Sequence, residues 1–68
     1  MAYYHVEIGY KTKRGVAALG MTVKAFNDEE AEEIARERAI GKSKVRKWCY
    51  SEVREATESD IRLGVVNA

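Results

Sequence analysis

Hydrophobic and polar positions alternate with period two in three stretches of the chain, and one stretch between them follows a helical period. In Tyr3–Lys11, Tyr4, Val6, Ile8 and Tyr10 fall on one side; Tyr3, His5, Glu7, Gly9 and Lys11 fall on the other. Strict alternation with β-branched and aromatic residues predicts a strand. Lys11-Thr12-Lys13-Arg14-Gly15 then reads as a polar hairpin connection ending in glycine. A second strand follows over Val16–Phe26, where Leu19, Met21, Val23 and Ala25 alternate with Ala18, Gly20, Thr22 and Lys24. Gly20 marks either a bulge or a close backbone approach.

The helical stretch opens at Phe26-Asn27-Asp28-Glu29-Glu30. Asn27 is suited to cap, Glu30 stands where a capping box needs it, and Phe26 is placed to staple onto Ala31. Ala31, Ile34 and Ala35 share one face, flanked by Ala39, and Gly41 is a natural stop. The acids of the first turn meet the positive end of the helix dipole. Glu32 and Arg36 form an i,i+4 pair expected on the solvent side.

The third alternating run is predicted over Lys44–Ala56 and is long enough to require a bend or bulge. Plain alternation puts Val45, Cys49 and Val53 on one face, with Arg46, Trp48, Tyr50 and Arg54 on the other. Beyond it, Thr57-Glu58-Ser59-Asp60 has two readings. One is a capping box before a short helical turn. The other, adopted here, is a turn followed by an irregular tail or a short fourth strand through Ile61, Leu63 and Val65.

These elements give the expected fold class: a single α+β domain over residues 1–68, a two-layer β-β-α-β(-β). The hairpin makes strands 1 and 2 antiparallel. A crossover through the helix brings strand 3 back beside strand 1, for an antiparallel sheet of order 2-1-3. One helix covers one face, and the other face is open.

Composition changes this picture little. The 68 residues carry 46% hydrophobic and 34% charged side chains with a net charge of +1, which argues for folding over disorder and against indiscriminate binding to polyanions. So short a chain has a thin core, and a homodimer would add to it. Charge is unevenly spread. Asp28, Glu29, Glu30, Glu32 and Glu33 form an acidic block, whereas cations predominate between Arg36 and Arg54. A lone cysteine, with neither a signal-peptide pattern nor an apolar run of membrane-spanning length, gives the expectation of a cytoplasmic protein.

Candidate chemistry is sparse. His5 and Cys49 could form a nucleophile pair only if they met, and the expected sheet separates them. One His and one Cys do not make a zinc site, and no phosphate-cradling glycine motif is present. No cofactor, metal or enzymatic activity is expected. The informative surface is the open face. There Tyr3, His5 and Lys24 join Arg46, Trp48, Tyr50 and Arg54, with Lys11, Lys13 and Arg14 in the adjoining hairpin.

Aromatics interleaved with cations suit a protein hot spot or stacked single-stranded bases. A bulge that turns Trp48 or Tyr50 inward would instead make that ring part of the core. The expected function is a small non-enzymatic binding module. It resembles, in size and plan only, accessory proteins of phages and mobile elements. Its expected partner is a host protein or a protein–nucleic-acid complex. Direct single-stranded nucleic-acid binding and a structural homo-oligomer are the alternatives.

Overall fold

The computed structural model describes residues 2–41 and 47–66. β1 (Ala2–Thr12) and β2 (Gly15–Ala25) form a long hairpin, α1 (Asp28–Ile40) follows, then β3 (Trp48–Glu55), α2 (Glu58–Leu63) and β4 (Val65–Val66). The sheet order is β3-β1-β2-β4. β1 pairs antiparallel with both β2 and β3, whereas β4 adds to β2 in parallel. The sheet is therefore mixed and four-stranded, not the antiparallel three-stranded 2-1-3 layer expected from the sequence.

The two faces follow from alternation along β1 and β2. Val6, Ile8, Met21, Val23 and Ala25 are buried together with Ala31 and Ala35 of α1. The alanines of α1 leave no bulk between helix and sheet, so the helix backbone lies close to these side chains. Ile34 and Ala39 pack at the margin, as do Tyr4, Tyr10 and Val53 from the sheet.

The helix ends where its sequence signals place it. Asn27 Oδ1 accepts from Glu30 N–H at 2.8 Å, and Gly41 N–H closes on Glu37 O at 2.8 Å. The reciprocal half of the cap is shifted by one residue, since the Glu30 carboxylate accepts from Phe26 N–H. Phe26 does not act as a buried staple; its side chain is largely exposed.

The tail departs most from expectation. Thr57–Asp60 is a true capping box rather than a free turn, and it starts a helix of six residues. The short fourth strand exists but comprises only Val65–Val66. To reach its place beside β2, the chain must cross from one edge of the sheet to the other.

The first crossover, β2-α1-β3, travels across β1 in one direction, and the second, β3-α2-β4, returns in the other. Crossovers of a single hand that run in opposite directions must lie on opposite faces. α2 accordingly lies against Thr22, His5 and Arg54, the side chains that point away from α1. The face expected to be bare is therefore partly covered by the chain's own tail.

Candidate functional site

Register sets which side chains share the α2 face. Tyr3 lies opposite Lys24, and His5 lies between Thr22 and Arg54. Glu7 lies between Gly20 and Glu52, and Gly9 between Ala18 and Tyr50. Tyr3, His5, Lys24, Tyr50 and Arg54 thus occupy the face that alternation assigned them. Lys24 Nζ stands 5.8 Å from the centre of the Tyr3 ring, a weak cation–π contact that leaves both side chains at one end of the sheet.

Trp48 is on the other side. The β1–β3 register breaks between Gly9 and Tyr10, so that Gly9 faces Tyr50 whereas Tyr10 faces Trp48. Cys49 is the extra residue of this bulge. One added residue reverses the side on which the preceding side chain projects. The indole consequently stands on the α1 face beside Tyr10, with the Arg36 guanidinium 5.0 Å from its ring centre. It remains 37% exposed. Arg36, expected to pair with Glu32 in open solvent, makes that contact at 3.8 Å and also covers the indole. Arg46 lies outside the described residues, and with it Val45 and the predicted start of strand 3.

The centre of the α2 face is a polar network. Asp60 receives Arg54 Nη1 at 2.7 Å and Nη2 at 3.3 Å, and it also accepts the Thr57 backbone N–H at 2.8 Å. The Arg54 hydrogen bonds, followed by the Thr57 backbone N–H, hold the Asp60 carboxyl well below the usual carboxylate range. The same pairing pushes the Arg54 guanidinium up.

Thr22, only 3% exposed, donates its hydroxyl proton to Asp60 O at 3.4 Å. Its oxygen is then left to accept from His5 Nδ1, also at 3.4 Å. His5 Nδ1 lies 3.7 Å from Asp60 Oδ1. The His5 ring covers Gly20, where a Cβ would stand 3.1 Å from Nε2; this is the close approach that the glycine signalled. His5 and Arg54 are thereby committed to holding the tail, a role that neither residue's sequence context revealed. Asp60 and Thr22 were absent from the predicted site. The capping-box spacing from Thr57 to Asp60 was the one available signal.

Beyond α2 the face is open. His5, Glu7, Glu52, Val53 and Arg54 line a groove of about 510 Å³. At its rim the Tyr50 ring lies flat on Gly9, filling space that any Cβ there would occupy. The Tyr50 hydroxyl donates to Glu7 Oε2 at 3.2 Å. Desolvation against the sheet raises the Tyr50 phenol above its ordinary value, and the nearby Glu7 carboxylate raises it further.

Lys11, Lys13 and Arg14 are exposed at the far end of the hairpin. The connection there is tied by Thr12, whose Oγ1 donates to Gly15 O at 2.9 Å and accepts from Arg14 N–H at 3.2 Å. The hairpin cations therefore stand apart from the groove and do not line it.

His5 and Cys49 do not meet. His5 is paired with Arg54, five positions from Cys49, or about 16 Å along a strand. Among the described residues no group of three or more His, Cys, Asp or Glu gathers to hold a metal ion. No described helix is long and apolar enough to cross a membrane. No protein-family model, curated protein or solved structure matches the chain.

Proposed function

We propose that the chain is a non-enzymatic binding module that receives a protein partner on the part of the α2 face left uncovered by the tail. The observation that carries this reading is Tyr50. Its ring is 37% exposed, yet it is fixed on the backbone of Gly9 and tied through its hydroxyl to Glu7. An aromatic group already held in one orientation gives up little freedom on binding, which is the property of an interface anchor.

The charges around Tyr50 favour a protein over a nucleic acid. Glu7 and Glu52 stand opposite one another beside the ring, while Arg54, its side chain 54% exposed, already shares its charge with Asp60. A phosphate chain laid along this groove would meet two carboxylates. A partner presenting Lys or Arg beside an apolar contact would find complementary charge and an aromatic face. Placement of Trp48 on the α1 face removes the second stacking platform that a single-stranded nucleic acid would use.

The test is affinity capture with the wild-type chain, Tyr50→Ala, and a variant with Lys11, Lys13 and Arg14 all changed to Ala. A retained protein is expected to persist through nuclease treatment, vanish with Tyr50→Ala and survive the triple change. Capture that is lost to nuclease, or that survives removal of the Tyr50 ring, overturns the reading.

A further inference from the structure

The geometry points to the outer edge of β3 as an interface with a second copy of this chain, the two β3 strands pairing antiparallel about a two-fold axis at Val53. β3 is the terminal strand of the sheet, and among the described residues no strand pairs with its outer side. Ala56 N–H is bonded to Tyr3 O, so even-numbered residues of this segment turn their backbone groups toward β1. Ser51, Val53 and Glu55 therefore present N–H and C=O outward. A free edge of this kind is a template for another strand.

Residue chemistry selects the partner and the register. With Val53 opposite Val53, Glu52 of each copy faces Arg54 of the other, on the α2 side of the sheet. Ser51 of each copy faces Glu55 of the other, and the two Val53 side chains meet on the α1 side, where each already packs against its own core. The backbone groups of Ser51, Val53 and Glu55 are then all paired. Sliding the strands so that the axis falls at Glu52 sets Glu52 against Glu52, and an axis at Arg54 sets Arg54 against Arg54; both oppose like charges.

Only the outer strand of the sheet with this pattern is self-complementary. The other free edge, β2 before Thr22, runs Gly15-Val16-Ala17-Ala18-Leu19-Gly20-Met21 without a charge and specifies no register. The resulting assembly is a continuous eight-stranded sheet with both α1 helices on one face and both Tyr50 rings on the other. Its two-fold makes the contact isologous.

The experiment is mass in solution by sedimentation, from micromolar to submillimolar chain. Wild-type protein is expected to reach twice its 7.7 kDa. Glu52→Lys should remain a monomer over a range where wild type is dimeric, with affinity reduced about thirtyfold because two attractive cross-strand pairs become repulsive. The same change relieves the Glu7–Glu52 opposition inside one chain, so thermal unfolding at low concentration should show no loss of stability.

Mixing Glu52→Lys with Arg54→Glu should restore a heterodimer. If Arg54→Glu fails to fold without its Asp60 pairing, Val53→Cys in a Cys49→Ala background decides instead, by forming a cross-linked dimer on oxidation. A wild-type chain that stays monomeric overturns the proposal. So does a dimer indifferent to Glu52→Lys, or one that cross-links through Ala18→Cys and not Val53→Cys, which would place the contact on β2.

Discussion

α1 and α2 lie on opposite faces of the same sheet, yet they are held there by different physics. α1 contributes Ala31 and Ala35 to a core that excludes water completely at Val6, Ile8 and Val23. α2 buries no residue at all, and its Leu63 is 89% exposed. It is fixed instead by one carboxylate, Asp60, on which Arg54, Thr57 and His5 converge. Apolar burial is distributed over many side chains and fails only with the whole fold. A polar clasp centred on one residue allows a segment to open alone while the rest of the chain remains folded.

Ile8→Ala is the largest disturbance of that comparison. Removing a fully buried side chain of this size costs about 2–5 kcal/mol, against a total of roughly 3–10 kcal/mol for a chain of this length at ~0.05–0.15 kcal/mol per residue. Urea unfolding followed by circular dichroism should show both helices lost in one transition at much lower denaturant. A change below about 1 kcal/mol would mean that the sheet–α1 layer is not the stabilising core.

Asp60→Asn acts on the other layer. Amide exchange over 58–66 should accelerate, with β1 and α1 amides keeping their protection; uniform acceleration would merge the two layers into one cooperative unit. The pH dependence follows from the depressed Asp60 carboxyl. A carboxyl whose folded value lies below its unfolded one contributes its full stabilisation above the unfolded value, and loses it as pH falls through the folded one. Docking of α2 should therefore outlast the pH near 3.8 at which an ordinary Asp neutralises. The Asp60 carboxyl carbon shift should stay flat through that point, and a midpoint there would mean the clasp is not formed.

Thr57→Ala is the mildest of the three. It removes one side of the capping box, worth about 1 kcal/mol of α2 stability, and leaves Arg54 in place. Exchange over Glu58–Leu63 should rise less than with Asp60→Asn. The reverse order would make the cap, not the ion pair, the dominant restraint.

The α1 layer was legible in the sequence because alternation in β1 and β2 and the caps of α1 are local signals that tertiary contacts did not override. The α2 layer was harder to read, for two separate reasons. A capping box shows that a helix can start at Thr57, but a six-residue helix is too short to hold itself, and the Asp60 partners beyond that cap, Arg54 and His5, come from the strands. Placement of Trp48 required knowing that one residue of β3 has no partner on β1, and nothing in Trp48-Cys49-Tyr50 distinguishes a bulged strand from a regular one. The available hint lay on the neighbouring strand: Gly9 offers bare backbone opposite one aromatic ring, and Tyr50 fills it.

Cys49 thereby acts as a spacer whose lack of a partner on β1, rather than whose thiol, determines which aromatic groups the two sides of the protein display. Giving it a partner, by inserting a single residue between Gly9 and Tyr10, would restore plain alternation through Trp48-Cys49-Tyr50 and carry the indole through the layer to join Tyr50. Such a one-codon insertion would exchange a tryptophan sheltered by Arg36 for a paired aromatic platform, whereas deleting Cys49 would leave the indole where it is.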